Sequence, residues 1–213
     1  LYPMAVPNRR AERREDVIQN LMAKGEYNLI DLSHYEEGSS PQFLEGTGSL
    51  IFDHDNKLVY AAISPRTNEQ LVQKVAEILG YEAICFRSYG KSGELIYHTN
   101  VMMCVGDSYV LIGKDTVEVE DWPLVEASIQ KSGKEMILFT NDQVYNHFAG
   151  NMLQIANQMG QTLLVMSTTA RKSLTDDQLE LLSKHNDYLV ALDIPTIEFV
   201  GGGSARCMLA EVR

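Results

Sequence analysis

Cysteine is scarce in this chain of 213 residues, which contains only Cys85, Cys104 and Cys207. An odd number with no Cys-x-x-Cys pair argues against a disulfide framework. The five histidines are scattered, without the His-x-x-x-His or mixed Cys/His spacing that binds zinc. We therefore predict no metal site and a reducing, cytoplasmic location.

Long apolar runs and an excess of positive charge are also missing. No apolar stretch approaches the roughly 20 residues that span a bilayer, so we predict no membrane partner. Lys and Arg number 18 against 29 Asp and Glu, a formal net charge of -11. The one dense basic patch is interrupted by acids, which argues against nucleic acid as a partner; it consists of Arg9, Arg10, Arg13 and Arg14. A small cationic or zwitterionic molecule fits this balance, and a homo-oligomer stays open.

Apolar periodicity predicts one α/β domain over residues 1–213, built from repeated ββαβ units. Gly48 and Asn100 are 52 positions apart (100 − 48), and Gly106 and Gly160 are 54 apart (160 − 106). Repeats of about 50 residues indicate a ring of units, and an open α/β sandwich is the alternative. The opening Leu1–Val6 reads as a strand under way, so we expect a preceding segment. The other predicted elements before the repeats are a helix at Arg13–Lys24 and a strand at Asn28–Leu32.

Four chemically useful side chains occupy equivalent places in the predicted units. Glu45, His98, Asn151 and Cys207 are separated by 53, 53 and 56 positions, and each stands where a hairpin begins. In a closed ring such positions face one central channel, so a carboxylate, an imidazole and a thiol would meet there. Cysteine after a glycine run and beside Arg206 suits an activated thiolate, and histidine suits proton transfer near neutral pH.

The same segments resemble the motifs of the arginine deiminases, which belong to the pentein superfamily with the amidinotransferases. Glu45-Gly46, His98-x-Asn100 and Gly202-Gly203-x-x-Arg206-Cys207-Met208 are similar to Glu-Gly-Gly-Asp, His-x-Asp and Gly-Gly-x-x-Arg-Cys-Met. Leu1-Tyr2-Pro3-Met4, Tyr97-His98-Thr99-Asn100 and Phe148-Ala149-Gly150-Asn151 resemble the citrulline-utilisation hydrolases within that superfamily. The resemblance implies a pentein α/β propeller around a channel, here lacking its N-terminal repeat.

The resemblance also implies roles for individual residues. Cys207 would be the nucleophile, with His98 and Glu45 as catalytic partners in a buried channel and no cofactor. The residues implied to bind substrate are Arg9 and Arg66, which would hold its carboxylate, together with Asn100, Gly202 and Gly203.

Two departures from the deiminase motifs bear on the substrate. Asn100 replaces an aspartate, and Thr47-Gly48 follows Glu45-Gly46 where the family has a second acid. An uncharged amide suits a neutral ureido group better than a guanidinium. We therefore predict a hydrolase that acts on a guanidino or ureido C–N bond of citrulline, arginine or a similar molecule. An amidinotransferase and a non-catalytic amino-acid-binding pentein are the alternatives.

Overall fold

The computed structural model describes residues 1–25 and 27–210 and contains three three-stranded sheets. In each sheet the first two strands pair antiparallel and the second and third pair parallel. The strands are β1 Ile51–Asp53, β2 Leu58–Ala62, β3 Glu82–Phe86, β4 Met103–Val105, β5 Tyr109–Ile112, β6 Glu135–Leu138, β7 Leu153–Ala156, β8 Thr162–Ser167 and β9 Tyr188–Leu192. The three predicted ββαβ units are thus present, and no closed barrel is found among the described residues.

Helices connect the parallel strands of each unit, as a parallel pair requires. The crossover helices are α3 Glu69–Leu79, α4 Trp122–Ser132 and α7 Asp176–His185; the other helices are α1 Glu15–Met22, α2 Gly46–Ser49, α5 Asn141–His147, α6 Thr168–Ser173 and α8 Pro195–Gly201. Helix α3 begins where the Asn68 side chain accepts a hydrogen bond from Leu71 N and ends at Gly80, whose φ is 73°. None of the helices in residues 1–25 and 27–210 is long and apolar enough to cross a bilayer.

The first strands of successive units lie beside one another, since β1 contacts β4 and β4 contacts β7. Buried polar contacts fix this arrangement at both ends of the strands. At the start of the strands, Thr99 Oγ1 donates to Ser49 O (2.6 Å) and accepts from Ala62 N (2.8 Å). At the other end, Lys134 Nζ donates to Gly106 O (2.8 Å) and lies 3.4 Å from Asp53 Oδ1. The turns that begin each unit are therefore held together at one end of the molecule.

The predicted strands at Leu1–Val6 and Asn28–Leu32 are wrong, because neither segment forms a strand. Leu32 N does donate to Leu1 O (2.9 Å). Further along, however, Met4 N and Ala5 N donate to the side chains of Glu36 and Glu45 and not to a neighbouring strand. Carboxylates therefore take the place of a sheet partner for this segment.

We expect Glu36 to make the stability of the protein depend on pH. Arg13 donates two hydrogen bonds of 2.6 Å to the buried Glu36 carboxylate, which lowers the pKa of Glu36 from 4.5 to about 2. Because this pKa is lower in the folded state, the stabilisation is complete above pH 4.5 and is lost as the pH falls towards 2. The lost free energy of unfolding is at most roughly 3 kcal/mol at 1.36 kcal/mol per pH unit.

Urea unfolding of Glu36→Gln at pH 7, 5 and 3 measures this effect. The stability difference between wild type and variant should shrink as the pH falls. Glu180→Gln is the matched control, because its ion pair with Lys184 is exposed. A difference that stays constant from pH 7 to pH 3 contradicts the prediction.

Candidate active site

The four equivalent positions converge, each at the start of a structural unit. Glu45 precedes α2, His98 precedes a 3-10 helix at Thr99–Val101, and Asn151 precedes β7. Cys207 lies in a 3-10 helix at Ala205–Met208. A short helical turn or loop brings each of these side chains towards the same region. His98 contacts Glu45, and Cys207 contacts Asn151 and Asn100.

Glu45 and His98 form a buried pair. His98 Nε2 lies 2.7 Å from Glu45 Oε2, and both residues are 8% exposed. Burial pushes the pKa of the Glu45 carboxyl upwards. Hydrogen bonds from His98 and Ala5 N and the charges of His98 and Arg66 outweigh burial, so its pKa lies below the usual value. Glu45 is therefore ionised at neutral pH and stabilises positive charge on the imidazole.

Gly48 allows the imidazole to lie against the backbone. A Cβ atom at position 48 would stand 2.8 Å from His98 Nδ1 and 3.0 Å from His98 Cε1. No real Cβ approaches a ring atom so closely, so any side chain here displaces His98. Glycine at position 48 therefore leaves room for the Glu45–His98 pair.

We expect Gly48→Ala to lower kcat by roughly 10²-fold, because a 1 Å misplacement of a catalytic group has effects of that size. The measurement is steady-state turnover of whichever substrate the protein accepts, with circular dichroism to confirm folding. Gly201→Ala is the matched control, since a Cβ there would meet only Ile197 Cγ2 at 4.0 Å. Equal kcat in the two variants would show that the position of His98 does not matter.

Cys207 is exposed, and two amide nitrogens point at its sulfur. Asn151 Nδ2 lies 3.2 Å from Cys207 Sγ and Asn100 Nδ2 lies 3.7 Å from it. Cys207 and Met208 are exposed, whereas Ala205 is buried; a buried channel around the sulfur stays a prediction. Arg206, beside Cys207, is buried, and its Nε has no hydrogen-bond partner among residues 1–25 and 27–210.

The glycines before Cys207 give the turn its shape. Gly202 ends α8 with a φ of 65°, which favours glycine. Its carbonyl accepts a hydrogen bond of 3.3 Å from the Tyr97 hydroxyl. A Cβ at Gly203 would lie 3.1 Å from Cys207 Sγ, so glycine keeps the space beside the sulfur open.

The two predicted carboxylate-binding arginines differ in position. Arg66 lies in the site, with Nη1 3.7 Å from Glu45 Oε2 and its guanidinium 4.9 Å above the Tyr97 ring. Arg9 is engaged by Glu12, which accepts from Nε (2.8 Å) and Nη2 (3.0 Å). Hydrogen bonding to Glu12 raises the pKa of Arg9, and the negative charges of Glu12, Glu45 and Cys207 add to this increase. Burial lowers the pKa, but by less, so the pKa of Arg9 is raised overall. Arg9 therefore lies within electrostatic reach of the site but must leave Glu12 to bind a ligand.

Tyr97 and Asn151 stand in segments that resemble family motifs, but the sequence assigns neither of them a role in the site. Tyr97 packs edge-on against His98, and burial followed by the negative charge of Cys207 raises the pKa of its hydroxyl. The signals for Tyr97 are its place beside His98 and the motif that contains both residues. The repeat spacing does mark Asn151, as the fourth equivalent position. Within the described part of the chain, no group of three or more His, Cys, Asp or Glu side chains could hold a metal ion.

Solved structures with the same fold include enzymes of arginine chemistry. The N-terminal domain of ArgZ with bound product, an arginine dihydrolase from the ornithine-ammonia cycle in cyanobacteria, has a TM-score of 0.74 at 17% identity and covers 100% of this chain and 69% of that one. Unliganded AgrE has a TM-score of 0.72 at 18% identity, covering 100% and 28%. Inosamine-phosphate amidinotransferase StrB1 from Streptomyces griseus has a TM-score of 0.63 at 16% identity, covering 100% and 63%.

At these identities the likeness establishes the fold alone. The chain spans 30% of the length of full ArgZ. No curated protein matches it. A family model described as N,N dimethylarginine dimethylhydrolase, eukaryotic, matches residues 1–213. The chain therefore belongs to the eukaryotic N,N dimethylarginine dimethylhydrolase family, within the pentein superfamily predicted from its motifs.

Proposed function

We propose that this protein hydrolyses a C–N bond in the guanidino or ureido group of an arginine-like small molecule, through a covalent intermediate on Cys207. The observation that carries the proposal is the convergence of Cys207 Sγ, two amides and the buried Glu45–His98 pair from four successive turns. The name of its family describes a hydrolase of dimethylarginine, and ArgZ is described as an arginine dihydrolase. Both agree with this reaction class.

The first half of the reaction transfers the carbon to sulfur. The Cys207 thiolate forms a bond to the central carbon of the group, and one C–N bond breaks with its electron pair moving to nitrogen. His98 supplies the proton that the departing amine or ammonia needs. The carbon stays on sulfur as a thiouronium or a thiocarbamate, and the ionised Glu45 stabilises the charge on His98 before transfer.

The second half releases the product and restores the thiolate. His98 accepts a proton from water as the water oxygen attacks the carbon on sulfur. The C–S bond then breaks, and its electron pair returns to Cys207. The exposed position of Cys207 gives water direct access to this intermediate.

The arginines are suited to the other end of the substrate. Arg66 has one face on the Tyr97 ring and is partly exposed, so its remaining donors can hold an α-carboxylate by a forked pair of hydrogen bonds. Arg9 can add a second fork once it leaves Glu12. The backbone at Gly202 and Gly203 lines the approach to the sulfur.

We propose a ureido compound such as citrulline as the preferred substrate. Asn100 brings no charge to the reacting carbon, and the Glu45 carboxylate is already balanced by His98 and Arg66. A guanidinium entering this site would find few unpaired carboxylates, whereas a neutral ureido group requires none. The ureido oxygen can also accept a hydrogen bond from an amide N–H.

A substrate panel on the complete gene product tests the proposal. Arginine, citrulline, agmatine and methylated arginines are incubated with the protein, and ammonia and amino-acid products are followed by mass spectrometry. Conversion of citrulline to ornithine supports the ureido preference, and conversion of arginine or methylated arginine to citrulline refutes that preference but supports the hydrolase. Product only with an added amine acceptor indicates an amidinotransferase. No turnover, with a Cys207 that resists alkylation, supports a binding protein.

Asn100→Asp is expected to favour arginine over citrulline: kcat/KM for arginine, divided by kcat/KM for citrulline, should rise by about tenfold or more. A carboxylate forms stronger, charge-assisted hydrogen bonds with a guanidinium than an amide does, and roughly 1.4 kcal/mol is a factor of ten. The added charge also slows both reactions by opposing the thiolate, so the ratio is the informative quantity. Asn20→Asp, an exposed position in α1, should leave the ratio unchanged. An unchanged ratio in Asn100→Asp would rule out this residue as the selector.

We propose that the three sheets are blades of a pentein propeller around a central channel within one domain. A cytoplasmic location and the absence of a nucleic-acid partner stay predictions from the sequence, and a homo-oligomer stays open. The proposed reaction uses side chains of this chain alone.

A further inference from the structure

We propose that Asn151 is a catalytic residue which, together with Asn100, stabilises negative charge on the Cys207 sulfur through two uncharged amide hydrogen bonds. This inference rests on the proposed function, because it takes Cys207 as the nucleophile. It adds a residue to the site: two neutral donors contact the sulfur directly, while the Arg9 cation reaches it only through its longer-range charge.

The orientation of the Asn151 amide is fixed by its neighbours. Its Nδ2 donates to Asn100 O (3.1 Å) and to Cys207 Sγ (3.2 Å), and its Oδ1 accepts from Cys207 N (3.4 Å). Asn151 is 2% exposed. Rotating the amide by 180° would set its oxygen against the Asn100 carbonyl and its NH2 group against the Cys207 N–H. Both hydrogens of Nδ2 are therefore committed, one of them to the sulfur.

Asn100 completes the pair from the neighbouring unit. Its Nδ2 is 3.7 Å from the same sulfur, and it is 3% exposed. Its Oδ1 is buried and has no hydrogen-bond partner among the described residues. An unsatisfied buried oxygen costs about 1–3 kcal/mol. With its nitrogen directed to sulfur, this oxygen is placed to accept an N–H of the guanidino or ureido group.

Two neutral donors can stabilise an anionic sulfur without bringing a positive charge to the site, as a cation would. Hydrogen bonds to an anion are stronger than those to a neutral atom, so two N–H groups favour the thiolate over the thiol. They add no net charge beside the reacting carbon, and a neutral substrate is not disfavoured there. Asn151→Asp has nearly the same shape but places a carboxylate oxygen where the donor stood, so it should raise the pH at which Cys207 ionises.

The test measures the rate of Cys207 alkylation by iodoacetamide against pH on the full-length protein, with the modified peptide identified by mass spectrometry. Cys85 does not interfere, because burial raises the pKa of its thiol to about 12, and Cys104 is fully buried. For Asn151→Asp we expect the midpoint to rise by about one pH unit or more, and alkylation at pH 7 to fall about tenfold. Asn20→Asp carries the same change at an exposed position and should keep the wild-type midpoint.

A wild-type midpoint in folded Asn151→Asp would overturn the proposal. Should that variant fail to fold, Asn151→Ser, which keeps one smaller donor, is measured in its place; an increased midpoint supports the proposal and an unchanged one overturns it. Alkylation needs no substrate. A substrate panel without turnover would therefore count against the proposed function alone, while turnover with unchanged midpoints would count against the amide pair alone.

Discussion

Cys207→Ser is expected to reduce turnover by roughly 10³-fold or more. A serine hydroxyl stays protonated at neutral pH, and among residues 1–25 and 27–210 the side chains that hydrogen-bond Cys207 are amides, which are not general bases. Asn151 and Asn100 offer N–H donors to this atom, which stabilise a thiolate but cannot remove a proton from an alcohol. The measurement is product formation from the best substrate of the panel, with a mass-spectrometric search for a covalent adduct of the wild type.

Cys85→Ser is the matched control for the loss of a thiol. Cys85 lies in β3, and its raised pKa makes it a poor nucleophile. We expect this variant to keep wild-type turnover and to show the same adduct on Cys207. Wild-type turnover in folded Cys207→Ser would eliminate covalent catalysis by this residue.

His98→Gln is expected to lower kcat by about 10²- to 10⁴-fold, the range attributed to a positioned acid–base group. Glutamine can keep a hydrogen bond to Glu45, so the buried carboxylate retains a partner and the fold should survive. It cannot deliver a proton to the departing nitrogen or accept one from water. Pre-steady-state kinetics should show both adduct formation and adduct hydrolysis slowed.

His147→Gln is the matched control, because His147 is partly exposed in α5 and pairs with the exposed Asp142. It should turn over at the wild-type rate. If His98→Gln affected KM and left kcat unchanged, His98 would bind substrate without transferring protons.

The repeating part of the fold can be predicted from the sequence, because each unit has its own hairpin turn, amphipathic helix and closing strand. Helix α3, for instance, is delimited by Asn68 and Gly80, and both act locally. The segment at Leu1–Val6 could not be predicted in the same way. Its apolar pattern favours a strand, but its N–H groups are taken by carboxylates more than 30 positions away in the sequence.

The candidate site, like the fold, can be predicted from the sequence only in part. Repeat spacing predicts that Glu45, His98 and Cys207 meet, and it marks Asn151 as their equivalent. Spacing cannot predict that Arg9 is held by Glu12, that Arg66 stacks on Tyr97, or that Cys207 is exposed. These features depend on side-chain rotamers and on how the last turn packs against β8, and neither leaves a periodic signal.

The placement of one functional side chain at the first turn of each unit separates chemistry from folding. A substitution at such a turn changes one group at the reacting carbon, while the strands and crossover helices behind it keep their own hydrogen bonds and apolar contacts. New specificities can therefore arise one position at a time on an unchanged scaffold. Directed evolution of this protein would do best with a library confined to positions beside these turns, such as 66, 97 and 100, around a fixed Glu45, His98, Asn151 and Cys207.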